Sequence, residues 1–184
     1  MNLKRLEMEA VRDAMLAVSS RITYRRPDGI QVAGRGGKGR WGGTRSLLSI
    51  RSPYRTVYLP VLRSLLPEMY HTFDFPNPTQ MKGQREVTTV ATQAIFLMNS
   101  DFANECARDA GRRSLEDPDL SDTERVRLAY HRLLGRQPSA DEIDTATQFL
   151  DSLAPGANVR NDAVYCWSTL VQALMISGEF RSLL

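Results

Sequence analysis

The sequence predicts a mainly α fold: a helical bundle that carries a long basic, glycine-rich loop and an irregular extended segment. Three observations predict it. From Thr88 onward, helix starts, apolar faces and helix stops follow one another with short connections. Seven of the twelve glycines lie between Gly29 and Gly43, a density that costs too much backbone entropy for a helix or a plain strand. Pro76 and Pro78 break the stretch Phe73–Pro78, because each proline drives its predecessor out of the helical region. The expected organisation is one domain over 1–184. It has an N-terminal helix at 3–18, a basic loop at 19–50, an irregular segment at 51–87 and the helical bundle at 88–184.

The elements follow in order. Leu3, Leu6, Ala10, Val11, Ala14 and Ala17/Val18 recur at the spacing of one buried helix face, with Lys4, Arg5, Glu9, Arg12 and Asp13 mostly elsewhere. Ser19-Ser20 end that pattern, and Thr23–Arg45 reads as a mobile loop. Thr56–Leu62 suits a short extended segment, at most an edge strand because Pro60 has no amide to donate; a helix over Pro60–Tyr70 is the competing reading. The run Ala94–Met98 belongs to a helix that stops at Asn99-Ser100. Asp101 then caps a helix whose inner face is Phe102, Cys106 and Ala110. Ser121-x-x-Glu124 and Ser139-x-x-Glu142 are capping boxes, in which a serine oxygen takes the N3 amide and the glutamate returns to the cap amide. Val126, Ala129, Tyr130, Leu133 and Leu134 stripe the first of these helices, closed by Gly135; Ile143, Ala146, Leu150 and Leu153 stripe the second. Asn161 or Asp162 opens a last helix with Val164, Trp167, Leu170, Val171 and Leu174, interrupted by Gly178, with one further turn over Glu179–Leu184.

Composition excludes several classes. Of 184 residues, 42% are hydrophobic and 24% charged, as in soluble globular chains. No apolar run approaches the ~20 residues of a membrane span, and the start of the chain lacks the apolar centre of a secretion signal. Cys106 and Cys166 form no C-x-x-C or C-x-x-C-H pattern, so haem attachment and zinc-ribbon spacing are absent; they read as buried thiols, with one disulfide available if the chain is exported. His71 and His131 are 60 residues apart and offer no metal-ligand spacing. No cofactor is expected within the chain.

Charge is uneven. Arg21–Arg63 carries ten basic residues and one acid, a net +9, whereas the remainder is −6. Arg35, Lys38, Arg40, Trp41 and Arg45 are the candidate ligand-binding residues of a polyanion surface, in which arginines neutralise phosphate or sulfate and aromatics stack on bases or sugars. The simpler reading is a solvated basic loop, or one whose arginines pair with acidic helices of the same chain. Gly34–Gly39 matches G-x-G-x-x-G, but Arg40-Trp41-Gly42-Gly43 cannot open the helix that a dinucleotide site requires. His71, Asp74 and Arg85 are the candidate catalytic residues of a hydrolase-like site, with Asp74 orienting His71 as a base. The favoured alternative is structural: a buried Asp74–Arg85 pair that holds the Phe73–Pro76 turn on the bundle.

Longer stretches carry a resemblance. Arg5–Ser19 resembles an R-L-x-x-E-x-(I/V)-R-D-A-x-L-A-x-S helix, Tyr54–Arg63 resembles R-R-S-V-Y-L-P-V-V-R, and Phe73–Pro76 resembles F-D-x-P. Arg85–Ala94 resembles R-x-V-T-T-x-x-x-Q-A, Leu134–Glu142 resembles L-G-R-x-P-x-x-x-E, and Trp167–Phe180 resembles W-x-x-L-x-x-A-L-x-x-S-x-E-F. In this order they resemble a bacterial domain of unknown function typical of planctomycetes, found as the C-terminal part of large exported proteins that often begin with a cytochrome-c-like region. The chain departs from that pattern at Thr23–Ile50. The resemblance implies a fragment of a longer periplasmic or exported protein, with haem only in an upstream domain. It brings no catalytic residues. The resulting functional expectation is a non-catalytic helical interaction or scaffold domain, whose partners are other domains of the parent protein or envelope proteins. Polyanion binding through 21–63, to nucleic acid or sulfated polysaccharide, is the alternative, and the hydrolase-like site a further one.

Overall fold

The structure, a computed structural model, describes residues 4–27, 50–61, 66–81, 83, 85, 88, 91–153 and 162–183. Arg35, Lys38, Arg40, Trp41 and Arg45, with most of the glycine-rich stretch, lie outside the described residues. Among the described residues the chain is mainly helical, in the order β1 (Lys4–Arg5), α1 (Met8–Val18), a 3-10 turn (Thr56–Tyr58), α2 (Glu68–Thr72), α3 (Ala91–Asn99), α4 (Asp101–Ser114), α5 (Asp122–Leu134), α6 (Ala140–Leu153), α7 (Asp162–Ile176) and β2 (Ser182–Leu183).

The capping signals form as their spacing dictates. Ser121 N–H donates to Glu124 Oε2 at 2.8 Å while Glu124 N–H returns to the serine oxygen at 3.4 Å. Ser139 and Glu142 repeat the exchange at 2.8 and 3.2 Å. Gly135 ends α5 at φ +70°, in the left-handed region that a Cβ disfavours. One cap is displaced: Ser100 holds the N-cap position of α4, and Asp101 lies in its first turn, where a carboxylate still faces the positive end of the helix dipole.

Two apolar clusters result, and α7 serves both. The first joins Met8, Val11, Met15 and Leu16 of α1 with Met69 and Tyr70 of α2, Leu97 of α3, the inner face of α4, and Val171 and Met175 of α7. Phe102, Cys106 and Ala110 all point into it, as their spacing implies. The second joins Val126, Ala129 and Tyr130 of α5, Ala146 and Leu150 of α6, and Cys166, Trp167, Leu170 and Leu174 of α7. Leu133 and Leu134 pack against both. Trp167 is therefore a core residue, and both cysteines are buried and not joined to each other. Among the described elements the α4–α7 contact is the most extensive. It reaches backbone contact at Gly111, where a Cβ would stand 2.6 Å from Ser168 N.

The N-terminal region corrects the sequence reading. Helix α1 begins at Met8 because Lys4-Arg5 is instead a strand, antiparallel to Ser182-Leu183. The chain after α7 is thus a turn and a strand rather than a helical turn. The buried face of α1 is Met8, Val11, Arg12, Met15 and Leu16, and Ala10 is exposed. Arg12 is fully buried because the segment 50–56 wraps its guanidinium with polar groups. It donates to the carbonyls of Ile50 at 3.0 Å, Tyr54 at 3.0 Å and Ser52, and to Thr56 Oγ1 at 3.0 Å. Asp13, 3.1 Å away, supplies the countercharge and also accepts from Thr56 N–H at 2.9 Å. Burial lowers the Arg12 pKa against the opposing pull of Asp13. Thr56–Tyr58 is a 3-10 turn and not a strand: Tyr58 N–H donates to Arg55 O and Leu59 N–H to Thr56 O, both at 3.0 Å, while Arg12 and Asp13 hold Thr56 at its start.

Candidate functional site

A broad concavity lies among the helices of the described surface. Helices α2 and α3 and the start of α4 enclose a cleft of about 690 Å³ with a floor of Met69, Phe96 and Phe102. Ile50 and Arg51 close one side, and Ile95, 54% exposed, rises from α3 at the rim. Met98 is equally exposed one turn farther along α3, so this helix turns apolar side chains outward as well as into the core.

Several polar groups of the cleft are engaged within the chain. Thr72 Oγ1 donates to Glu68 O at 3.1 Å, and Asn99 Nδ2 to Ile95 O at 2.9 Å. Arg51 is held by Glu105 at 3.0 Å and faces Asp101 at 3.8 Å. Hydrogen bonding to Glu105 raises the Arg51 pKa, and Arg51, followed by Arg21, lowers that of Glu105. The same carboxylate accepts from Arg21 at 3.0 Å, and Arg21 also reaches Asp109 at 2.7 Å. Arg55 lies 3.8 Å from Asp13. Three arginines of the basic segment thus face acids of α1 and α4, the intramolecular pairing weighed in the sequence reading.

The nominated residues His71, Asp74 and Arg85 occupy different environments. His71 is exposed near the end of α2. Asp74 follows in the turn with φ +58°. Its carboxylate accepts from Thr88 N–H at 2.9 Å and Thr88 Oγ1 at 2.8 Å, and lies 3.8 Å from Arg5. Arg85 instead binds Glu9 at 2.8 Å and Glu7 at 3.0 Å, with its guanidinium 5.7 Å from the Phe75 ring centroid. The buried Asp74–Arg85 pair expected from sequence is therefore corrected. Thr88 supplies a local backbone donor and hydroxyl that satisfy the carboxylate, while the acidic start of α1 captures Arg85. The turn is held by Thr88 and Arg5 and not by Arg85.

Sequence reasoning missed a buried polar junction beside this turn. Gln93 is fully buried on α3. Its Nε2 donates to Thr72 O at 3.0 Å and Thr88 O at 3.3 Å, while its oxygen accepts from Arg5 and, at 3.4 Å, from Arg181. Burial, with Arg5 nearby, lowers the Arg181 pKa. One side chain so joins β1, the α2 turn, α3 and the C-terminal strand region. The signal available in sequence was a glutamine on the inward side of an apolar helix.

Among the described residues no group of three or more histidine, cysteine or acidic side chains has the geometry of a metal site. None of the described helices is long and apolar enough to cross a membrane. The arrangement offers shape, apolar surface and several polar groups bonded within the chain.

No curated protein and no solved structure matches the chain. The model of PSD1, a protein family of unknown function (DUF1553), matches residues 1–150. That span runs from before β1 through nearly all of α6 and includes the cleft, the Asp74 turn and Gln93. The chain therefore belongs to the PSD1 family of proteins of unknown function.

Proposed function

We propose that the chain is a non-catalytic helical interaction domain of a larger protein, docking other protein segments at the cleft between α2, α3 and α4. The observation that carries this reading is the pairing of an apolar floor with exposed Ile95 and Met98 on α3, beside polar groups already bonded within the chain. A hydrolase-like site would have Asp74 orient His71 as a base; Asp74 is instead bonded to Thr88, and Arg85 to Glu7 and Glu9. The family resemblance adds an exported or envelope-associated setting, with other domains of the parent protein as partners.

Photo-crosslinking residues placed at Ile95 and Met98, with exposed Leu128 as control, test the docking face in the native cell. Crosslinks to one protein segment at both α3 positions, Ile95 at the cleft rim and Met98 beside it, and not at 128 are expected. Equal labelling at all three positions removes the cleft from the proposal. In parallel, His71→Ala and Asp74→Asn are assayed beside the unaltered chain on ester, phosphate and glycoside substrates. Turnover that is present in the unaltered chain and lost in both variants replaces this reading with the hydrolase-like one.

A further inference from the structure

A second concavity lies on another face, between α4 and α7. It opens beside the Gly111–Ser168 crossing and measures about 420 Å³, within the roughly 300–1,000 Å³ of small-molecule sites. Arg108 and Arg112, one turn apart on α4, line one side, and Tyr165 of α7, 58% exposed, lines the other. Among the described lining residues none is acidic.

Within the basic segment 21–63, Arg21, Arg51 and Arg55 face carboxylates, whereas Arg25 and Arg26 are exposed. Arg108 is exposed and makes no ion pair among the described residues. Arg112 spends one nitrogen on Asp109, at 3.0 Å, and its side chain stays 60% exposed. Asn104 accepts from Gln172 Nε2 at 2.6 Å through its oxygen, which leaves its amide nitrogen as a donor. Two guanidiniums, an amide donor and an open aromatic face therefore converge on one groove.

We propose that this groove binds a phosphate-bearing ring ligand of mononucleotide size, free or as one unit of a single strand. Arg108 and Arg112 take the phosphate through charge-assisted, directional hydrogen bonds, a geometry that guanidinium matches better than ammonium. Tyr165 stacks on the ring, a contact that tolerates different bases because each has a π face. The inference is independent of the docking cleft and rests on other residues.

Calorimetric titration of the full chain with adenosine monophosphate, inorganic phosphate and an oligothymidylate strand tests it, at low and moderate salt. Adenosine monophosphate or the strand is expected to bind more tightly than phosphate, with affinity falling as salt rises. Free-nucleotide binding with no gain from the strand identifies a small-molecule site; strand binding without free-nucleotide binding identifies a nucleic-acid site. Arg108→Ala with Arg112→Ala should abolish binding of each ligand. Tyr165→Ala should weaken the nucleotide or strand by about tenfold or more, the scale of one base stacked on an aromatic ring, and leave phosphate binding unchanged. All three positions are exposed or half-buried, and circular dichroism checks that each variant folds. No binding of either nucleotide form at millimolar concentration, or binding unaffected by both arginine substitutions, overturns the proposal.

Discussion

Arg12 shows how one residue can organise a segment that has no regular structure. A fully buried guanidinium is costly unless every donor is met and a countercharge is close. Carbonyls from Ile50, Ser52 and Tyr54, the Thr56 hydroxyl and Asp13 meet those terms. Arg12→Ala should cost about 3–5 kcal/mol, because it strands Asp13 and several carbonyls at once. Arg12→Lys should not restore stability, since a point-like ammonium cannot serve a planar fan of acceptors. Urea midpoints measure both; an alanine variant within about 1 kcal/mol of the parent is the outcome that refutes the clamp. A double-mutant cycle addresses the neighbouring turn. Asp74→Ala and Thr88→Val should couple by about 0.5 kcal/mol or more, whereas Asp74→Ala and Arg85→Ala should be nearly additive. Strong coupling in the second pair would restore the direct contact that the structure lacks.

At the scale of elements, α4 and α7 decide the architecture. Gly111 lets the helices meet at backbone distance, so each can bury its apolar face over its length. Gly111→Ala would place a methyl 2.6 Å from Ser168 N and 2.8 Å from its Cα, both backbone atoms. The helices must separate, and a loss of about 1–3 kcal/mol is expected despite alanine's better helix propensity. Thermal unfolding reads the sign directly: a stabilised variant means that the crossing yields without cost. The α5–α6 corner is fixed differently. Arg136, just after Gly135, binds Glu142 at 2.7 Å and also holds Glu179, with its guanidinium 5.4 Å from the Tyr130 ring centroid. A single arginine thus ties the start of α6 to the turn after α7.

That corner links the whole molecule to pH. Arg136, followed by the Ser139 backbone, holds the Glu142 carboxyl down to about 2 from an ordinary 4.5. A carboxyl depressed in the folded state adds stability above its unfolded pKa, and that contribution is lost as pH falls through its folded value. Melting temperature should therefore drop between pH 4.5 and about 2, modestly, because the side chains are about one third exposed and solvent screens them. Glu142→Gln removes the titrating group, so its curve should be flatter over that window. Parallel curves for parent and variant would exclude Glu142 as a source of the acid sensitivity. Three residues beyond Glu179, β2 pairs with β1, and Arg5, Arg181 and Gln93 meet at the same junction. Residues at the two ends of the described chain consequently share one hydrogen-bonded unit.

The sequence by itself determined the helical class, the two capping boxes, the left-handed stop at Gly135, the inner faces of α4 to α7 and the core position of Trp167. Each of these is set by neighbours within about two turns, where spacing translates directly into a face or a cap. Family membership was legible for a related reason: the motifs of α1, the Asp74 turn and α3 stand in a fixed order along the chain. Only the tertiary structure decided the partners of Asp74, Arg85 and Arg12, the strand at Lys4-Arg5, and the α2–α3–α4 cleft and α4–α7 groove. A guanidinium binds whichever acceptors the fold brings within reach, and several carboxylates compete for it. Arg85 chose Glu7 and Glu9, far away in sequence, over the nearer Asp74. Helical spacing placed Arg12 on the solvent side of α1, because it counts apolar neighbours and cannot register carbonyls that arrive from residues 50–54. Long-range polar pairing has no period in the sequence, and it is this pairing that fixes the described irregular segments at 50–56 and 73–75.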